Sequence, residues 1–197
     1  MKDSRQQSVS RQKNNLLRHE RAFSLYDALV TLTVVSTVTT VAVPSFQQLT
    51  ASQRMSGAIN SMVSDLHLAR SEAITRGEHA ALCPSANGSV CLNSGTNDTV
   101  WEEGYLLYID RNNNHTLDAG EKIVRMSGAI EGIRIRSSAQ RGHVTYQPNG
   151  MASGSNLTFT FCDKHSRGSP RAVIVSNSGR PRTSARDAGG GIISCRA

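Results

Sequence analysis

Aromatic residues are scarce in this chain, with one Trp, four Tyr and four Phe in 197 residues, and none follows Phe161. The carboxy-terminal stretch therefore has no platform on which a nucleobase could stack. No histidine pair stands as H-E-x-x-H and no G-x-S-x-G elbow occurs, so the zinc-protease and serine-hydrolase patterns are absent. The four cysteines, Cys83, Cys91, Cys162 and Cys195, include no C-x-x-C, and only His165 lies near one of them, which disfavours a thiolate zinc site. No internal repeat is evident. Acids are nearly missing from residues 134–197, where Asp163 and Asp187 face ten Lys or Arg. These absences lead us to expect no enzymatic activity and no cofactor.

A small-residue cleavage site after the apolar amino-terminal run is missing as well. The one plausible processing point, Ala22 before Phe23, precedes that run, so cutting there leaves it on the mature protein. Residues 23–43 carry a single charge, Asp27, and have about the length that spans a bilayer as a helix. Lys13, Arg18 and Arg21 come before it and hold the amino end on the cytoplasmic side. A lone carboxylate in lipid is costly, so Asp27 calls for a partner cation.

A polar leader, a cut before Phe23, an acid at the fifth mature position (Asp27) and Pro44 at the twenty-second together resemble the class III signal of type IV prepilins and type II secretion pseudopilins. Ala22 and Asp27 depart from it, since the family usually carries Gly and Glu there. The resemblance implies cleavage and methylation at Phe23 by a prepilin peptidase, and a contact between Asp27 and the new amine of a neighbouring subunit. It also implies other major and minor pilins as partners. Residence would be single-pass in the bacterial inner membrane with a periplasmic globular domain, extracellular once in the pilus.

After Pro44, Leu49, Met55, Ile59, Met62, Val63, Leu66, Ala69, Ala73 and Ile74 recur at helical steps, and Gly77 follows as a C-cap. Beyond residue 78 the pattern turns to short strand-like runs at 80–83, 105–110, 122–126, 130–136, 143–146, 157–162 and 172–176. In Ile133-Arg134-Ile135-Arg136 alternation predicts buried isoleucines and exposed arginines. The fold class is α+β, a long amino-terminal helix packed on an antiparallel β domain. Its segments are a leader at 1–22, an apolar helix at 23–49, an amphipathic half-helix at 50–77, the β domain at 78–177, and a mobile basic tail at 178–197, which is rich in Gly, Ser, Arg and Pro.

Outside the cytoplasm an even number of cysteines reads as disulfides. Short-range closure favours Cys83 with Cys91, leaving Cys162 with Cys195. Asp110, Asn112, Asn114, Asp118 and Glu121 fall at positions 1, 3, 5, 9 and 12 of an EF-hand-like calcium loop, but His115 occupies the glycine position and strands flank it. Turn chemistry accounts for the same residues.

Charge is segregated. Residues 23–133 hold six basic and eleven acidic groups, net −5, whereas residues 134–197 are net +8. Such a block suits an anionic partner. Within it, Gly179-Arg180-Pro181-Arg182 resembles the Gly-Arg-x-Arg DNA-binding motif of FimT-type competence pilins, in the FimT/GspH family. Lys164, Arg167, Arg171 and Arg186 would add phosphate contacts. The resemblance implies a minor pilin that binds extracellular double-stranded DNA, without regard to sequence, for natural transformation. Its rivals are a pseudopilin of type II secretion and a minor pilin that primes pilus assembly for adhesion or twitching.

Overall fold

The computed structural model describes residues 24–92, 99–138 and 141–195. Ala22 and Phe23, the expected processing site, lie outside them. Contacts divide the chain into two compact units, Met1–Ala42 and Val43–Ala197. One helix, α1 (Leu25–Arg76), begins in the first and continues through the second.

In the first unit the described residues are exposed, and from Leu25 they are helical. Ser24 caps the helix by accepting a hydrogen bond from Tyr26 N–H (3.2 Å), and Asp27 accepts one from Ser24 N–H (3.3 Å), an arrangement related to the capping box. The threonines are less hostile to lipid than composition suggests. Thr31, Thr33 and Thr40 donate to the carbonyls three residues back at 2.8–2.9 Å, so their hydroxyls are satisfied inside the helix. The helix is long and apolar enough to cross a membrane.

In the second unit α1 ends at Arg76, where Gly77 takes φ +67° and returns its N–H to Ala73 O at 3.0 Å, a left-handed cap that favours glycine. Eight strands follow among the described residues: β1 (His79–Pro84), β2 (Tyr105–Asp110), β3 (Ile123–Ser127), β4 (Ile133–Ser137), β5 (Val144–Tyr146), β6 (Leu157–Asp163), β7 (Arg171–Val175) and β8 (Pro181–Ser184). They form two antiparallel sheets, β3-β2-β1-β5 and β4-β6-β7-β8. Every strand-like run in the sequence became a strand; β8 came in addition.

Met55, Ile59, Met62, Leu66, Ala69 and Ala73 bury one stripe of α1 against both sheets, where Trp101 meets Phe159 edge-on at 4.9 Å. Spacing places Leu49 and Ile74 in that stripe, yet both are exposed. Asp65 lies within the stripe and is fully buried. Tyr105 Oη donates to its Oδ2 at 2.7 Å, while Arg125 Nε makes an ionic contact with Oδ1 at 2.8 Å. Burial, reinforced by the Asp65 carboxylate, pushes the Tyr105 hydroxyl up to about 12.

β4 alternates as expected for its isoleucines, which are fully buried, but its arginines are only partly exposed. Arg136 is drawn into an ion pair with buried Glu102, which also accepts Ile135 N–H at 3.1 Å. The mobile tail expected at 178–197 is the larger departure. Pro181–Ser184 pair with β7, Arg186 bridges Ile192, and Ile193 is buried on Ala172 and Ile174. Main-chain pairing needs no large apolar side chains, so composition could not reveal it.

Candidate nucleic-acid interface

The basic residues of the last third are set out by the second sheet. Phe159, Phe161, Val173 and Val175 belong to the main core. Alternation along the strands therefore turns Arg171, paired with Phe161, and Thr183, paired with Val173, toward α1. Arg182, paired with Ile174, faces the opposite side, where Ala172, Ile174 and Ile193 cluster.

Arg180 ends the β7–β8 turn. Ser176 N–H reaches Arg180 O at 3.5 Å, which extends the ladder by one pair and sets Arg180 and Arg182 two residues apart, roughly 7 Å along one face. Gly179 lies in this turn with φ +75°, and a Cβ there would stand 2.2 Å from Gly150 O and 3.1 Å from Tyr146 Cε1. Its glycine character is thus explained by packing of the hairpin on the 147–150 turn, with Ala152 N–H bonded to Asn177 O at 3.0 Å nearby.

The other candidates gather at the far end of the strands. Lys164 follows β6, Arg167 lies in the β6–β7 connection, Arg171 opens β7 and Arg186 follows β8. The sequence block thus resolves into a hairpin pair, Arg180 and Arg182, and a second group about the β6–β7 connection. Arg167 and Arg171 line a groove of about 560 Å³ against α1. Among the described residues, the guanidiniums of Arg167, Arg171, Arg180 and Arg182 form no ion pair, and Arg186 Nη1 donates to Gly190 O at 3.0 Å.

Disulfides join Cys83 to Cys91 and Cys162 to Cys195. The second fastens the segment carrying Arg180, Arg182 and Arg186 to the end of β6.

In the Asp110–Glu121 loop the polar side chains serve the loop itself. Asp110 accepts Asn114 N–H (3.1 Å) and His115 N–H (3.0 Å), Asp118 accepts the amides of Asn112 and Asn114 (2.8 and 2.7 Å), and Glu121 accepts Arg111 N–H (2.9 Å). His115 takes φ +63° where an EF-hand places glycine. Its ring stacks on His143 at 4.2 Å and Nδ1 lies 3.1 Å from Thr145 Oγ1, fastening the loop to β5.

A family model described as type II transport protein GspH matches residues 58–179, more than half of the chain. The chain belongs to the GspH family. The family is one of pilins and pseudopilins, structural proteins that assemble with other pilins. The crystal structure of the type IV minor pilin FimU of Pseudomonas aeruginosa is similar, at 18% identity and a TM-score of 0.51 over 67% of this chain and 89% of that one. A second crystal form of FimU gives 17% identity, a TM-score of 0.47, and coverage of 66% and 91%. No curated protein matches the sequence. The GspH match takes in both sheets through β7 and ends at Gly179, so Arg180, Arg182 and Cys195 lie beyond it.

Sequence reasoning missed the groove beside α1 and the buried Asp65. The signal for Asp65 was available: an acid at a core position of the helical repeat, between Met62 and Leu66.

Proposed function

We propose that this GspH-family pilin binds double-stranded DNA through the β7–β8 hairpin, for uptake in natural transformation. The carrying observation is that Arg180, at the end of the β7–β8 turn, and Arg182, two residues on in β8, fall on one face of the hairpin and form no ion pair among the described residues, which leaves both free for phosphates. Lys164 and Arg186, both exposed, extend the positive surface. With no aromatic side chain after Phe161, contact is to backbone phosphate and indifferent to sequence. Four such contacts give a log-affinity slope of about −3 to −4 against log salt. The subunit would be cut by a prepilin peptidase before Phe23, anchored in the inner membrane with its β domain periplasmic, and paired through Asp27 in the pilus.

A gel shift of the full chain in detergent with random duplexes of equal length tests this reading. Equal, salt-sensitive binding is expected, and no shift at low salt would end it. The GspH match favours a second reading, a structural pseudopilin of type II secretion. Deletion separates the two: loss of transformation with secretion intact supports the first, and the reverse supports the second.

A further inference from the structure

The two edges of the second sheet are finished differently. At β4 the edge is occupied: Trp101 N–H bonds to Ile135 O at 3.1 Å, Val100 bridges Arg136, and Glu102 takes Ile135 N–H. At β8 no strand follows among the described residues. Pro181 has no N–H, and the ladder bond from Ser176 N–H to Arg180 O makes 176/180, 174/182 and 172/184 the hydrogen-bonded pairs. The N–H and C=O of Thr183 therefore point away from β7, out of the sheet edge beside the groove that Thr183 lines.

That groove has the chemistry of an unfilled strand position. Across from β8, α1 presents Gln48, Ser52, Ser56 and Asn60, a polar stripe at four-residue intervals, above a floor formed by Met55 and Ile59. Arg167 and Arg171 stand along it without ion pairs among the described residues, and no carboxylate lines it.

We propose that the groove takes an extended acidic segment of a neighbouring pilin subunit, which adds to β8 as a fifth strand and sets carboxylates against Arg167 and Arg171. An extended peptide meets the outward main chain of Thr183 at strand spacing, and the side chains at alternate positions reach the arginines. A DNA duplex is too rigid and broad to enter between helix and strand edge. The inference rests on membership of a subunit family and not on the DNA reading. The groove begins at Gln48, close in sequence to the apolar half of α1.

The test places a photo-cross-linking residue, Ser52→p-benzoylphenylalanine, in the full chain within the bacterium that assembles it. The cross-linked peptide is expected to come from an acid-rich segment of another pilin. Its yield should fall at least tenfold in Arg167→Gln/Arg171→Gln and in Thr183→Pro, with melting temperature and both disulfides retained. Should Thr183→Pro misfold, hydrogen exchange replaces it: the Thr183 amide should exchange more slowly in assembled pili than in the detergent-solubilised subunit. A cross-link to nucleic acid, to the chain itself or to a segment without acids, the absence of any cross-link, or a yield unchanged in the arginine variant overturns the proposal.

Discussion

Four arginines before residue 137 and the five described after residue 163 live in different surroundings, with Arg54 and Arg70 forming no ion pair among the described residues. Arg76, Arg111, Arg125 and Arg136 each lie against a carboxylate, Glu72, Glu78, Asp65 and Glu102 respectively. Arg167, Arg171, Arg180, Arg182 and Arg186 have no such partner among the described residues, and only two acids stand in the sequence from 134 onward. In the first group charge is consumed internally, and at Asp65 and Glu102 it holds buried groups in place. In the second it is left for something outside the chain. Net charge alone, +7 for the whole sequence, hides this division.

The sharpest way to break the comparison is to remove a paired arginine. Arg125→Met leaves the Asp65 carboxylate, 1% exposed, with the Tyr105 hydroxyl and no cation. A fully buried pair broken in this way costs about 3–5 kcal/mol; because Arg125 is half exposed, about 2–3 kcal/mol is expected. Urea unfolding in detergent measures it. A loss below about 0.5 kcal/mol would place Arg125 with the solvated arginines.

Covalent fastening of the basic segment comes next. Cys162→Ser/Cys195→Ser should cost about 2 kcal/mol, the lower end for a native disulfide, since Ile193 still packs on Ala172 and Ile174. Limited proteolysis should then cut between 185 and 195 before any other described segment. Unchanged proteolysis would mean that strand pairing alone holds the segment.

Arg180→Gln/Arg182→Gln probes the unpaired group. DNA affinity should fall at least tenfold at low salt, about 1.4 kcal/mol, and the salt slope should flatten by about two, while folding stability stays within about 0.5 kcal/mol of the parent. Sequence-independent loss is expected across duplexes. If the variant destabilises the fold as Arg125→Met does, the two groups of arginines are not distinct.

What the sequence disclosed follows the reach of each signal. Helical spacing from Met55 to Ala73 and alternation in β4 and β6 are imposed by one shared core, so those elements were legible locally. β8 was not, because Pro181-Arg-Thr-Ser184 has no large apolar side chain and exists as a strand only through its register with β7. Arg180 and Arg182 were found as a motif, but their separation from Arg167 and Arg171 depends on which face of the sheet each residue meets. Gly179 belongs to the same motif, yet its need for glycine comes from the close approach of Gly150, distant in sequence.

The smallest effect concerns a charge that the fold keeps out. Burial holds the proton affinity of His143 below its ordinary value, the neighbouring His115 and Arg141 lower it further, and only Asp110 opposes them. The unfolded chain therefore binds this proton more readily than the folded one does. Stability from the neutral ring is complete above the unfolded value of about 6.5 and is lost as pH falls through the lower folded value. Between pH 7 and 5 the melting temperature should drop, and His143→Gln should flatten that part of the profile. Because the ring stacks on His115, the Asp110–Glu121 loop should loosen first, seen as faster amide exchange at Asn114 and His115. A profile that keeps its slope in the variant would assign the acid sensitivity to another group.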